Sequence, residues 1–115
     1  MQQEMNLHPA PFDKIARGEK TVELRLNDEK RRRLKMGDTI LFTCTDGRQL
    51  TARVAALHPF PDFAALYAAL PLTCCGYTPE EAAKASPTDM EAYYTKEQIA
   101  AYGALGIELE EITLL

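Results

Sequence analysis

The stretch "RGEKTVELRL", residues 17–26, brings Lys20, Glu23 and Arg25 close together along the chain. An ammonium, a carboxylate and a guanidinium are the groups from which a polar-ligand site is built. Lys20 offers three rotatable donors, Glu23 an acceptor, and Arg25 a rigid planar fork suited to a phosphate or carboxylate. Three chemistries fit. In binding, Lys20, Glu23 and Arg25 read base edges and phosphate while a tyrosine, Tyr94, stacks on the base. In general acid–base work, Lys20 with Glu23 forms the catalytic set. Lys20 must then work near neutral pH, about three units below its reference pKa of ~10.4, at roughly 4 kcal/mol, and an ionised Glu23 opposes that shift. In metal-free chemistry at a phosphate, Lys20 and Arg25 supply the cations and Glu23 or a tyrosine the proton transfers. The bland alternative is an ion-pair ladder on a solvated strand, worth under ~1 kcal/mol per pair.

The elements must bring these groups together. "KTVELRL" alternates, with Val22, Leu24 and Leu26 on one face and Thr21, Glu23 and Arg25 on the other, which predicts a half-buried strand with one solvated face. Lys20 falls on the face opposite Glu23 and Arg25. Convergence therefore requires Lys20 to sit in the turn after Gly18, before regular strand geometry begins. "EMNL" reads as a first strand, and "APFDKIARG" as a helix with Pro11 near its start and Gly18 at its stop. "NDEKRRRLKMGD" predicts a short helix or turn ending at Gly37. "TILFTCT" and "QLTARVAALH" are strands joined by a hairpin at Asp46-Gly47. "DFAALYAAL" carries the helical stripe Phe63, Leu66, Tyr67 and Leu70. "TPEEAAKA" and "TKEQIAAYG" open on the capping boxes Thr78/Glu81 and Thr95/Gln98, and "ALGIELEEITLL" is a closing strand. The class is α+β, a small curled sheet or barrel with short helices at one side.

The 115 residues read as a single domain, 1–115. The net charge of −4 argues against indiscriminate nucleic-acid binding, yet residues 13–35 hold nine Lys or Arg against five Asp or Glu. Within that region "EKRRRLK" is either a phosphate-contacting rim or a solvated helix face. Cys44, Cys74 and Cys75 lack metal-ligand or CxxC spacing and read as reduced structural thiols; a nucleophilic Cys75 assisted by His58 is the minor alternative. His8 and His58 lie outside the charged stretch. No metal, cofactor or membrane partner is expected, and the absence of a signal pattern or long apolar run predicts a cytoplasmic protein.

"GEKTVELR" matches the G-x-K-x-x-E-x-R signature of ASCH domains, members of the PUA-like superfamily, at Gly18, Lys20, Glu23 and Arg25. "KMGDTILF" resembles the turn and strand that follow in that family, and "MEAYYTKEQIAAYGALGIEL" its C-terminal helix and closing strand. The resemblance implies a mixed barrel-like sheet of five or six strands flanked by short helices, with a cleft beside the signature strand. It also implies RNA or modified-nucleoside recognition. Some members remove the acetyl group from N4-acetylcytidine with a Lys–Thr–Glu set, and others are described as ribonucleases. The deacetylating members carry Thr where this chain has Glu23; their glutamate has only Glu80 or Glu81 as candidate counterparts. A regulatory protein-interaction module using the acidic C-terminal half is a further alternative.

Overall fold

The computed structural model describes residues 2–115. Five strands, β1 (Gln2–Leu7), β2 (Val22–Leu26), β3 (Thr39–Cys44), β4 (Gln49–Phe60) and β5 (Ala104–Leu114), form one mixed sheet in the order β1-β3-β4-β5-β2. The β1–β3 pair is parallel and the others are antiparallel. The Asp46-Gly47 hairpin joins β3 to β4 as expected, and register shifts at Thr51/Arg53 and Val54/Ala56 bend β4 where it pairs with β5. The result is a curled half-barrel. Its two edges, β1 and β2, are the strands nearest the charged stretch.

Helix α1 (Pro9–Ala16) packs Phe12 and Ile15 into the half-barrel against Ile40, Phe42, Leu50 and Val54. A second apolar cluster lies outside it. There α2 (Phe63–Ala69) places Phe63 and Leu66 against Val22 and Leu24 of β2, with Cys75 and Met90 from two short 3₁₀ helices, Leu72–Cys75 and Pro87–Ala92. Helices α3 (Pro79–Lys84) and α4 (Lys96–Tyr102) form where their capping boxes predict, with Thr78 and Thr95 accepting from the N–H groups of Glu81 and Gln98. The basic run shrinks to a 3₁₀ turn at Arg31–Arg33.

One expectation fails. Alternation predicts that β2 has a solvated face, yet Glu23 is only 3% exposed and Val22, Leu24 and Leu26 are buried as well. Both faces of the strand are covered. A period-two pattern separates the faces of a strand but is blind to chain that returns from far away to cover the polar one.

Candidate functional site

The end of α1 sets the position of Lys20. Its last turn is followed by the left-handed Gly18, and the N–H groups of Glu19 and Lys20 both donate to the carbonyl of Lys14. Thr21 then donates to the carbonyl of Cys74, and β2 begins only at Val22. Lys20 therefore sits in the turn, as convergence requires. Its Nζ reaches Glu23 Oε1 at 2.8 Å. Arg25 Nε donates to Glu23 Oε2 at 2.9 Å, and Arg25 Nη2 donates to the carbonyl of Asn6 on β1 at 2.9 Å. That last bond bridges the two edge strands of the half-barrel.

The Lys20, Glu23 and Arg25 side chains are 11%, 4% and 16% exposed, so the solvated-ladder alternative does not describe them. Arg17 and Glu19, by contrast, pair with each other at 2.9 Å in open solvent. Burial pushes the Glu23 carboxyl upward, but the attraction of Lys20 and Arg25 and their hydrogen bonds outweigh it. The net result holds the group below the usual glutamate value. Glu23 is an ionised carboxylate with a cation on each oxygen.

A cavity of about 400 Å³ opens over this triad. Tyr93 and Tyr94 also line it, Tyr93 largely exposed and Tyr94 in parallel contact with Phe63 at 6.1 Å. Both tyrosines follow the Pro87–Ala92 turn rather than riding on α4, and Tyr93 joins the expected Tyr94 in lining the cavity. Sequence reasoning passed over His8, Lys14 and Tyr77, which also line the cavity. Lys14 Nζ donates to the carbonyl of Gly76 at 2.6 Å. The Tyr77 hydroxyl lies 2.6 Å from that of Tyr67, whose pKa is raised by burial and by this hydrogen bond. Tyr77 lies in the segment "PLTCCGYTPEE", whose register against the signature strand no periodicity could fix, and His8 and Lys14 flank and occupy α1, where nothing local marks them as cavity residues.

The other candidates divide between this cavity and places away from it. Glu81 reaches the cavity, but its carboxylate accepts from Thr78 N–H at 2.8 Å and lies 4.0 Å from Lys14 Nζ. Cys75 lines the cavity with its thiol pushed up to about 11, chiefly by burial, which disfavours the nucleophilic thiolate. His58 is paired with Glu108 at 2.8 Å and does not line the cavity that Cys75 lines. Arg32 donates to the carbonyls of Asn27 and Tyr102, and no residue of "EKRRRLK" lines this cavity; Lys30 and Arg33 line a separate hollow with Gln2, Gln3 and Glu4. Among the described residues no group of three or more His, Cys, Asp and Glu is placed to hold a metal ion, and no helix is long and apolar enough to cross a membrane.

The model of the ASCH domain family matches residues 5–113. The chain belongs to the ASCH family. Among solved structures, hypothetical protein PH0355 is 28% identical with a TM-score of 0.78, over 96% of this chain and 98% of that one. Protein PF0455 from Pyrococcus furiosus is 30% identical with a TM-score of 0.67, over 96% of each chain. A mutant of the Zymomonas mobilis ASCH protein shares the fold at 15% identity and a TM-score of 0.69, over 99% of this chain and 73% of that one. No curated protein sequence matches significantly. The half-barrel with its outer helices is thus the ASCH fold, and the cavity of this ASCH domain is built on the family's signature strand.

Proposed function

We propose that this ASCH domain binds an unpaired RNA base or a free, modified nucleoside in the cavity over Lys20, Glu23 and Arg25. The observation that carries the reading is that the buried triad and aromatic side chains line one cavity of about 400 Å³. That volume lies near the lower end of the roughly 300–1,000 Å³ typical of small-ligand sites. It suits one nucleoside and not a duplex. Tyr94, already braced by Phe63, offers a stacking face, while Lys20 and Arg25 present donors to a base edge.

Binding is better supported than hydrolysis by the same cavity. Glu23 has both oxygens engaged by cations, which disfavours its taking a substrate proton. Lys20, paired with that carboxylate, is arranged to donate a hydrogen bond to a carbonyl. The Cys75 thiol is held well above neutrality. Calorimetric titration with cytidine and N4-acetylcytidine, followed by chromatography of the same mixtures, tests the reading. Saturable binding that weakens in Tyr94→Leu, with the acetyl group retained, is the expected result. Absence of binding to either nucleoside and to a short single-stranded RNA would overturn it. Release of cytidine that depends on Lys20 would transfer the site to the hydrolase alternative.

A further inference from the structure

The hydrogen-bonding groups of the cavity are unevenly matched. Two carbonyl acceptors among its lining residues are already used, Gly76 by Lys14 and Asn6 by Arg25. The Glu23 oxygens face Lys20 and Arg25, and Glu81 caps its own helix. Donors remain in excess. An ammonium carries three, and Lys14 and Lys20 each direct one at a partner within 3 Å. Among the described residues no hydrogen bond occupies Arg25 Nη1.

The two lysines are also held side by side. The Lys20 N–H donates to the Lys14 carbonyl at 3.1 Å. A Cβ built on Gly76 would lie 3.0 Å from Lys20 Cδ and 3.8 Å from Lys14 Cδ, at a φ of +98° that already favours glycine. Both stems thus lie over one bare stretch of backbone. Lys20 shares Glu23 with Arg25, and the nearest carboxylate to Lys14 is 4.0 Å away and more than half exposed. Three cations against two carboxylates leave room for one more negative group.

We propose that the ligand is anchored through a phosphate ester held by Lys14 and Lys20 over Gly76. This rests on reading the cavity as a nucleoside site and makes the preferred ligand a nucleotide or a phosphorylated RNA end, not an uncharged nucleoside. A phosphate supplies acceptors for the spare lysine donors and the charge these lysines leave unbalanced.

The test is calorimetric titration of the intact protein with cytidine, cytidine 5′-monophosphate, ribose 5-phosphate and a 5′-phosphorylated RNA trinucleotide at fixed salt. The monophosphate should bind roughly 10- to 100-fold more tightly than cytidine. Lys14→Met should abolish most of that gain, and Lys14→Arg should restore part of it. The wild-type ratio needs no variant, so the inference stays open to refutation even if Lys14→Met does not fold. Equal affinity for cytidine and its monophosphate would overturn the phosphate anchor while leaving the nucleoside reading intact. Lys14-dependent binding of ribose 5-phosphate without any preference for a base-bearing ligand would support the anchor and overturn the nucleoside reading. No binding to any of the four would overturn both. A trinucleotide that binds more tightly than the mononucleotide assigns the phosphate to an RNA chain, and the reverse order to a free nucleotide; both support the anchor.

Discussion

Replacing Glu23 by Gln removes the one negative charge that Lys20 and Arg25 share while preserving the shape of the side chain. Each cation approaches a different carboxylate oxygen at 2.8 Å, and neither Lys20 nor Arg25 is more than 16% exposed on its side chain. At an effective dielectric of about 20, each contact is worth roughly 6 kcal/mol of gross attraction, most of it offset by the cost of taking the ions out of water. Deleting one partner of such a buried pair costs about 3–5 kcal/mol, because the remaining cations stay buried without their counter-charge. Glutamine keeps a carbonyl acceptor, so the expected loss is near the lower end, about 3 kcal/mol. At roughly 4 °C per kcal/mol for a domain of this size, the melting temperature should fall by about 12 °C. Urea denaturation followed by circular dichroism, with Arg17→Gln as an exposed-pair control showing no measurable change, makes the measurement. The double variant Lys20→Met/Glu23→Gln should lose less than the two single variants together, by roughly 1–3 kcal/mol. A loss under about 1 kcal/mol for Glu23→Gln would refute the reasoning, since that is the scale of a solvated ladder.

The same residue sets an acid limb. The Glu23 carboxyl is held below its ordinary value of 4.5, so its contribution is complete above that pH and disappears as pH falls through the folded-state value. Wild-type stability should therefore drop on acidification below pH 4.5, and Glu23→Gln should flatten that part of the profile in denaturation series at stepped pH. Cys75, raised to about 11, should resist alkylation by iodoacetamide at pH 7.5 in the native protein and react once it is unfolded, as peptide mass mapping would record. Gly103→Ala should cost at least about 2 kcal/mol in the same denaturation assay, since its Cβ would lie 2.5 Å from the Phe60 carbonyl oxygen at a φ of +79°. RNA affinity should depend only weakly on salt, with a logarithmic slope of about −1 to −2, because the cavity presents few cations and the basic run points elsewhere.

Much of this fold was legible because its signals are local. Thr78/Glu81 and Thr95/Gln98 cap their helices from three residues away, Asp46-Gly47 turns the hairpin, and Gly18 places Lys20 ahead of the strand. The burial of Glu23 was not legible, because alternation describes only the strand that carries it. What covers that face arrives from the far ends of the sequence: Asn6 accepts from Arg25 across 19 residues, and Gly76 accepts from Lys14 across 62. The resemblance of "MEAYYTKEQIAAYGALGIEL" to one C-terminal helix and strand gave no place to Tyr93 and Tyr94, which stand between the Pro87–Ala92 turn and the Thr95 cap that starts α4. The basic run drew attention by composition, yet Arg32 binds backbone carbonyls near α4 and stands over the Tyr102 ring.

The central claim is that the cavity over Lys20, Glu23 and Arg25 takes a nucleoside-bearing ligand. Amide and side-chain shift mapping of the labelled protein during titration with cytidine 5′-monophosphate tests it most directly. The account predicts saturable shifts concentrated on Lys14, Lys20, Arg25, Gly76 and Tyr94, with the Arg31–Arg33 turn and the β3–β4 hairpin unmoved. Shifts confined to the Arg31–Arg33 turn, or none at millimolar ligand, would contradict it.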